Sequence, residues 1–291
     1  MSSSRLDARA IVLAVLIMAI LDGTYTMVKV GLRDLPVVGS LLLRMLVATA
    51  ALGAYARWAG VTLLYRGRAA WFIAAGTLAF IVMQLLLYAG LTATPAGRAA
   101  ILYNIQPFLT LLVLPCVLPA ERLTFRRVLG TGMAFGGVVL VLAERSTSGG
   151  SLLGDALVLL AAVTWTMVII LSKRTPSEVN AVSLIFWNVA GAAPVLALLT
   201  VILEPSASWR LSAPAVASIL YLGVLAAGVG FVGFVWLTRT YAATRVNAFV
   251  FLSPVFGVLI AWAALGESAT ALQAAGALGV ASGIWIVNTG R

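Results

Sequence analysis

The chain has 291 residues, of which 62% are hydrophobic and only 10% are charged, and its mean hydropathy is +1.09. Average soluble domains are about 25% charged, and no soluble fold of this size has an interior large enough for so much apolar surface, so the composition excludes a soluble protein and indicates an integral membrane protein. The net charge of +10 would suggest nucleic-acid binding in a soluble protein. Here the basic residues are spread among short loops, which membrane topology explains better, and we expect no nucleic-acid partner.

Ten apolar stretches follow one another along the chain, each near the roughly 20 residues that a membrane-spanning helix needs. They are longer and more continuous than the ~10-residue alternating strands of a membrane β-barrel, so they predict helices. The first follows a short polar N-terminus and lacks a clear cleavage site, which favours a span over a signal peptide. The predicted spans are approximately residues 10–31, 37–56, 69–91, 96–118, 128–144, 152–173, 179–203, 213–238, 243–265 and 271–288.

Lysine and arginine are distributed unevenly between the two sides that these spans define. Thirteen of the nineteen fall on the side of the N-terminus and two, Lys29 and Arg44, fall within spans. The remaining four, on the opposite side, are Arg33, Arg98, Arg145 and Arg210. Because basic loops stay in the cytoplasm, this bias predicts that both termini are cytoplasmic, in a multi-pass protein of the bacterial inner membrane.

Two long segments of the chain carry the same types of residue in the same order. Each runs from an arginine through a proline within a span and a glutamate in a loop to two glycines, and the spacing from glutamate to glycines is the same in both. The paired residues are Arg98 and Arg245, Pro107 and Pro254, Glu121 and Glu267, Gly130 and Gly276, and Gly137 and Gly283. We interpret this as an internal duplication, with one repeat at residues 1–148 and the other at 149–291. Since each half holds five spans, an odd number, the second half enters the membrane from the opposite side, which makes a 5+5 inverted-topology repeat of the kind used for alternating access.

These paired segments, together with ILDGTYTMVKVG in the first span, SLLLRMLVA in the second and VTWTMVIILSK at the start of the second half, identify a resemblance. The chain resembles the ten-helix EamA-type exporters of the drug/metabolite transporter superfamily, and within them bacterial amino-acid exporters, including those for aromatic amino acids. The resemblance implies a central cavity lined mainly by helices one, three, four, six, eight and nine, and export of amino acids and related metabolites. Family members often carry an aromatic residue where this chain has Asp22, which leaves the role of that position open.

Asp22, Lys29 and Arg44 are charged side chains within predicted spans, where each is costly to bury. Asp22 either binds a substrate ammonium group or a coupling proton, or is hydrogen-bonded within a closed bundle, for example by Thr24 or Thr26. Lys29 and Arg44 are interpreted as gating or structural residues near the outer side. The other interpretation of Arg44 is that it anchors a substrate carboxylate.

Uncharged polar and aromatic groups complete the candidate site. The predicted substrate-binding residues, on the helices that the resemblance assigns to the cavity, are Asp22, Tyr25, Gln84, Tyr88, Tyr103, Asn104, Trp165 and Asn247. Packing and polar contact between helices are the alternative for each of them. Pro107 and Pro254 are predicted hinges or bends, because proline removes a backbone hydrogen bond within a span.

The sequence predicts a transporter and not an enzyme. It has no ATP-binding loop, no nucleophile motif, no histidine and no cysteine cluster, so we expect no cofactor and no metal. The predicted function is export of amino acids and related metabolites by a secondary transporter, with the proton as the candidate coupling ion. Multidrug or organic-cation efflux is the alternative; a lipid-processing enzyme lacks catalytic residues here, and a scaffold would not need an inverted repeat.

Overall fold

The computed structural model describes residues 8–106, 108–110, 113, 125–143, 151–176, 178–240, 249–268 and 270–289, and these residues form helices and connecting turns without a strand. The helices are α1 (Ala8–Gly31), α2 (Val37–Trp58), α3 (Arg68–Ala93), α4 (Ala96–Tyr103), α5 (Phe125–Ala143), α6 (Leu152–Arg174), α7 (Ala181–Leu203), α8 (Ala213–Leu220), α9 (Phe231–Thr240), α10 (Ser253–Leu265) and α11 (Ala271–Thr289). A π-helical segment, Tyr221–Gly230, joins α8 to α9, and a 3₁₀ turn, Phe249–Leu252, precedes α10.

Six helical segments in the described part of the chain are long and apolar enough to cross a membrane. They are α1, α2, α3, α6, α7 and the stretch Ala213–Phe234. Three shorter apolar helices lie within α5, α10 and α11. The predicted all-helical, multi-pass membrane architecture is therefore confirmed, and α1 to α3 begin and end within two residues of the predicted spans.

Two faces of the helix bundle can be defined from the chain direction. Face A is the face at which α1 ends and α2 begins, and face B is the opposite one, at which α3 begins. At face B, the segment between α2 and α3 is held against the start of α7: Trp187 Nε1 donates to the Leu63 carbonyl (2.6 Å) and Ser183 Oγ to the Thr62 carbonyl (2.7 Å).

At face A, the segment between α7 and α8 is held against the start of α2 in a comparable way. The Glu204 carboxylate accepts the backbone N–H groups of Val38 and Gly39, both at 2.9 Å. Because the first N–H groups of a helix have no partner within it, a carboxylate there satisfies two of them and is favoured by the helix dipole. Ser212 Oγ adds a hydrogen bond of 2.5 Å to Asp34 Oδ2.

The glycines that repeat in the sequence pack α5 against α11. A Cβ added at Gly137 would lie 2.6 Å from the Gly276 carbonyl oxygen, and one added at Gly276 would lie 2.7 Å from that of Gly137. A Cβ at Gly283 would lie 2.4 Å from the Gly130 oxygen. Such backbone contact is possible only without side chains, and small residues are the usual means of close helix packing in lipid.

Three helical irregularities interrupt predicted spans in the described part of the chain: a break after α4, the π-helical segment Tyr221–Gly230 and the 3₁₀ turn Phe249–Leu252. The predicted span 96–118 is broken after α4, where Asn104 Nδ2 turns back to the Ala100 carbonyl (2.8 Å). Pro107, which lies outside the described residues, has no N–H for the carbonyl of residue 103. Pro254 lies in the first turn of α10, directly after the 3₁₀ turn Phe249–Leu252, so it stands where the helix changes type. Its role as a hinge stays a prediction.

Candidate functional site

A cavity of about 590 Å³ lies inside the bundle, within the range of roughly 300–1,000 Å³ that is typical of small-molecule sites. Most of its wall is apolar or aromatic, and a few polar groups are set into it. Its charged and polar lining consists of Asp22, Thr24, Tyr25, Arg44, Gln84, Tyr103, Asn104, Gln106, Thr110, Trp165, Asn188 and Ser253. These residues come from helices that are far apart in the chain, so only the folded bundle creates the site.

Asp22 is the acidic group of the cavity. It is 4% exposed and lies nine residues before the end of α1, which is about 13 Å from face A along the helix. Ser253 Oγ, at the start of α10, lies 2.8 Å from both carboxylate oxygens. The partner found for Asp22 is thus a hydroxyl from the second half of the chain and not Thr24 or Thr26 of its own helix. A carboxylate has about four acceptor positions, so one hydroxyl leaves most of them for another donor.

Arg44 is the basic group of the cavity and enters it from α2. Its Nη1 donates to Tyr88 Oη at 3.3 Å, and its guanidinium lies 5.9 Å from the centre of the Tyr88 ring. Tyr88 is fully buried and does not line the cavity, and it contacts Arg44 from behind the cavity wall. Its role in substrate binding stays a prediction. The buried Nε of Arg44 and the Nε2 of Gln84 have no hydrogen-bond partner among the described residues.

Aromatic side chains form two contacts at the cavity wall. Tyr25 and Tyr103 meet edge to face, with ring centres 5.9 Å apart, and Trp165 meets Phe231 in the same manner at 6.3 Å. Aromatic walls suit an apolar or aromatic ligand group. Asn104 lies on the wall but uses its amide hydrogen to close the end of α4.

At face A, α4 crosses α10 and packs closely against it. Gly257 faces Ala100 so closely that an added Cβ would lie 2.2 Å from the alanine methyl group. Gly266 then ends α10 with a positive φ of 68°, a conformation that glycine adopts without strain. The next residue, Glu267, accepts the N–H groups of Ala96 and Gly97 at 2.8 and 3.0 Å and so caps α4 from the other half of the chain.

Two further charges take part in this closed region. Lys29 Nζ lies 3.6 Å from Glu267 Oε1, and both side chains are partly exposed. Arg98, the third residue of the predicted span 96–118, lies in the first turn of α4. It is 1% exposed and bonded to buried Asp155 of α6, with Nη2 2.7 Å from Oδ2. The sequence did not predict this ion pair, because the start of α6 is far from α4 along the chain.

The structure brings together six of the eight predicted substrate-binding residues at the cavity wall: Asp22, Tyr25, Gln84, Tyr103, Asn104 and Trp165. Tyr88 lies behind the wall, and Asn247 lies outside the described residues, as does the predicted hinge Pro107. Of the other predicted gating residues, Arg44 faces the cavity and Lys29 lies at face A. Their roles remain predictions.

Sequence reasoning missed Ser253, Asn188 and Phe231 as lining residues. Asn188 had a usable signal, because an amide in the apolar stretch FWNVAG is itself unusual at membrane depth. Ser253 and Phe231 gave none, since a serine beside a proline and a phenylalanine in an apolar run are both ordinary in membrane helices.

Comparison with known proteins gives a consistent picture. The sequence profile of the EamA-like transporter family matches the chain twice, at residues 8–143 and 152–289. A protein of Escherichia coli K12 named "Probable amino-acid metabolite efflux pump" is 30% identical over 94% of this chain and 93% of its own length. A protein of Streptantibioticus cattleyicolor named "Probable terminal-alkyne amino-acid exporter" is 30% identical over 90% of this chain and 87% of its own. One solved crystal structure, 20% identical, has a TM-score of 0.69 over 97% of this chain and 96% of its own, which is a likeness of fold.

Proposed function

This chain belongs to the EamA-like transporter family, and on that premise we propose that it is a secondary transporter of the bacterial inner membrane that exports amino acids and related small metabolites by alternating access. It is a membrane transporter and not an enzyme. The observation that carries the proposal is the cavity, which holds opposite charges at membrane depth below a closed face A. The names of the two relatives that match most of the chain point to amino acids as cargo.

The proposed architecture is ten spanning helices in two inverted repeats, residues 1–148 and 149–291. Two sets of contacts support it. Gly130 lies against Gly283 and Gly137 against Gly276, so the first repeated glycine of each half meets the second one of the other half. This reciprocal pattern is the one that a two-fold axis produces. The segment after α2 binds the start of α7 at face B, and the segment after α7 binds the start of α2 at face A, which is the same reciprocal pattern.

The proposed orientation makes face B cytoplasmic, because most lysine and arginine residues lie there together with both termini. The lining residues of the second half lie from mid-membrane towards face B, for example Ile169 on α6 and Phe234 on α9, while those of α1 and α3 lie from mid-helix towards face A. Because α4 and α10 pack closely at face A, we interpret this structure as the state closed to the outside, with face B as the side from which an exporter loads its substrate. Exchange of the conformations of the two repeats would open face A.

Transport in proteoliposomes tests this function. We expect saturable counterflow of labelled amino acids by the wild-type protein, and no counterflow of any amino acid would contradict the proposal. If Asp22 carries a coupling proton, an imposed pH gradient changes the wild-type rate, and the Asp22→Asn variant loses that response. Asp34→Asn is the matched control, because Asp34 is a carboxylate bonded to Ser212 at face A and outside the cavity.

The Asp22→Asn result separates three roles. Loss of the pH response identifies a coupling site, a lower rate with an unchanged pH response identifies a binding site, and an unchanged rate and response identify a structural residue.

Efflux of organic cations is the second candidate function, and Asp22 favours it. A carboxylate in an aromatic-lined cavity attracts a lipophilic cation by charge and by cation–π contact. Competition by a quaternary ammonium ion against amino-acid counterflow distinguishes the two, since a cation carrier is inhibited strongly and a carrier that requires a carboxylate is not.

A further inference from the structure

We propose that the cavity has two charged poles, with Arg44 and Gln84 holding a substrate carboxylate and Asp22 holding a substrate ammonium group. The substrate class is then the zwitterionic α-amino acid with a large apolar side chain. This inference rests on the proposed function and deepens it, because it assigns each charged group of an amino acid to a side chain.

The carboxylate of the substrate is assigned to Arg44 and Gln84 because each has a buried donor that makes no hydrogen bond within the described part of the chain. Arg44 has no carboxylate partner within the described part of the chain, and its buried Nε–H makes no hydrogen bond there. Gln84 Nε2 is a second buried donor without a partner, on a side chain that is only 4% exposed. Both residues line the same cavity. An arginine fork with a neighbouring amide matches the two oxygens of a carboxylate.

The position of Arg44 is fixed by the protein before any substrate binds. Tyr88 contacts the guanidinium with its hydroxyl and its ring, and it lies one helical turn after Gln84 on α3. Tyr88 has no exposed surface, so it can hold the guanidinium in one place. A partly buried cation with no counter-ion among the described residues is costly to the free energy of folding, so a purely structural role does not explain it well. A cation held in a fixed position is, in contrast, what a binding site for an anionic group needs.

The cationic group of the substrate is assigned to Asp22. Ser253 is the donor found for both of its carboxylate oxygens, which leaves acceptor positions free on the cavity side. Tyr25 and Tyr103, an edge-to-face pair with ring centres 5.9 Å apart, line the same cavity as Asp22 and Arg44.

The side chain of the substrate is assigned to the remaining wall. Trp165 and Phe231 form an aromatic corner, and Phe80 and Phe234 extend the apolar surface. This wall makes few favourable contacts with a small polar side chain and many with a branched or aromatic one. A substrate that lacks either charge leaves one buried pole unpaired, which is the strongest means of discrimination available to a site of this kind.

Three ligands with the same ring test the two poles: L-phenylalanine, phenethylamine, which lacks the carboxylate, and 3-phenylpropionate, which lacks the ammonium group. Binding to the purified full-length protein is measured by calorimetry, and transport by counterflow. We expect the wild type to bind phenylalanine about 10- to 150-fold more tightly than either analogue, the ratio that corresponds to a charge-assisted hydrogen bond.

The variants predict opposite changes in selectivity. Arg44→Gln loses the preference for phenylalanine over phenethylamine, while Asp22→Asn loses the preference over 3-phenylpropionate. Retained amine binding shows that the Arg44→Gln variant is folded. If it binds neither ligand and its thermal unfolding is also altered, Arg44→Lys takes its place, and we expect that variant to weaken phenylalanine more than phenethylamine. Arg66→Gln, at an exposed position outside the cavity, is the matched control and keeps the wild-type selectivity.

Two results would overturn the inference. A wild type that binds phenethylamine as tightly as phenylalanine has no carboxylate pole, and a folded Arg44→Gln variant that weakens both ligands equally uses Arg44 for structure. In both cases counterflow of some amino acid leaves the proposed function standing. Failure of every amino acid to bind or move would instead contradict the proposed function together with the two-pole site.

Discussion

At the scale of single residues, Arg98 and Asp155 illustrate how this protein accommodates charge within an apolar bundle. Nε and Nη2 of Arg98 approach the carboxylate at distances of 2.7 to 3.1 Å, and Thr94 Oγ1 adds a hydrogen bond of 3.2 Å. A buried ion pair is tolerated only when its hydrogen bonds are made, since both charges have lost their water. The pair joins the start of α4 to the start of α6 at face A.

Removing one member of this pair should be far more costly than removing an exposed charge. We expect Asp155→Asn to lower the free energy of unfolding by about 3–5 kcal/mol, because it leaves the Arg98 charge buried without its partner. Arg66→Gln, at an exposed position, should change it by no more than about 0.5 kcal/mol. Thermal or denaturant unfolding in detergent measures both, and equal stability of the two variants would contradict this account.

The same residue scale explains what the sequence could and could not predict of the site. Asp22 and Arg44 are visible in the sequence because charge within a 20-residue apolar stretch is costly and therefore conspicuous. Whether Arg44 faces a cavity or a gate depends on the rotation of α2 against α3, and no local pattern records that rotation. Tyr88 was predicted at the cavity wall because its helix was expected to line the cavity. The tertiary packing of α3 places it behind Arg44.

At the scale of helices, the cap that Glu267 provides on α4 is a connection between the two halves at face A. Glu204 caps α2 in the same chemical manner but lies away from the crossing of α4 and α10. Opening face A by separating α4 from α10 would break the Glu267 cap and leave the Glu204 cap intact. Glu204 is therefore the matched control for an experiment on Glu267.

We expect Glu267→Gln to shift the protein towards a state open at face A. A carboxylate cap contributes about 0.5–2 kcal/mol, which corresponds to a roughly two- to thirty-fold change in the ratio of open to closed protein. The readout is labelling of an Asn104→Cys reporter by a membrane-impermeant maleimide added at face A, in a protein whose native Cys116 is replaced by serine. Labelling should rise with Glu267→Gln and not with Glu204→Gln, and an equal response in both would refute the gating role.

The element boundaries show a similar division between local and tertiary causes. The ends of α1 to α3 follow from Pro36, Pro95 and the segment from Gly60 to Gly67, whose two glycines both have a positive φ, so the sequence predicts them closely. The π-helical segment Tyr221–Gly230 has no comparable signal in YLGVLAAGVG. Its contacts are tertiary: Tyr221 donates to the Ile20 carbonyl at 2.8 Å, and a Cβ at Gly223 would lie 2.6 Å from Val47. π-helical turns are frequent at functional sites, and Ala226 and Ala227 of this one line the cavity.

At the scale of the whole molecule, the proposed mechanism requires that face A opens during every transport cycle. Gly97 of α4 and Ala261 of α10 offer a direct way to prevent this, because a Cβ added at Gly97 would lie 3.5 Å from the Ala261 Cβ. This separation is within the range of about 3.5–4.5 Å that a disulfide spans. The same Cβ would lie 3.3 Å from the Val258 Cα, so face A can be locked covalently with a helix shift of only a few tenths of an ångström.

We expect the Gly97→Cys, Ala261→Cys double variant, without native Cys116, to form a disulfide under mild oxidation and to stop transport. Binding of substrate from face B should persist, since the cross-link lies beyond the cavity and the locked state is the one in which the cavity is formed. Reduction should restore counterflow, and each single cysteine variant should transport with or without oxidant. Transport by the fully cross-linked protein would show that substrate crosses without opening this face, and alternating access at the crossing of α4 and α10 would then be wrong.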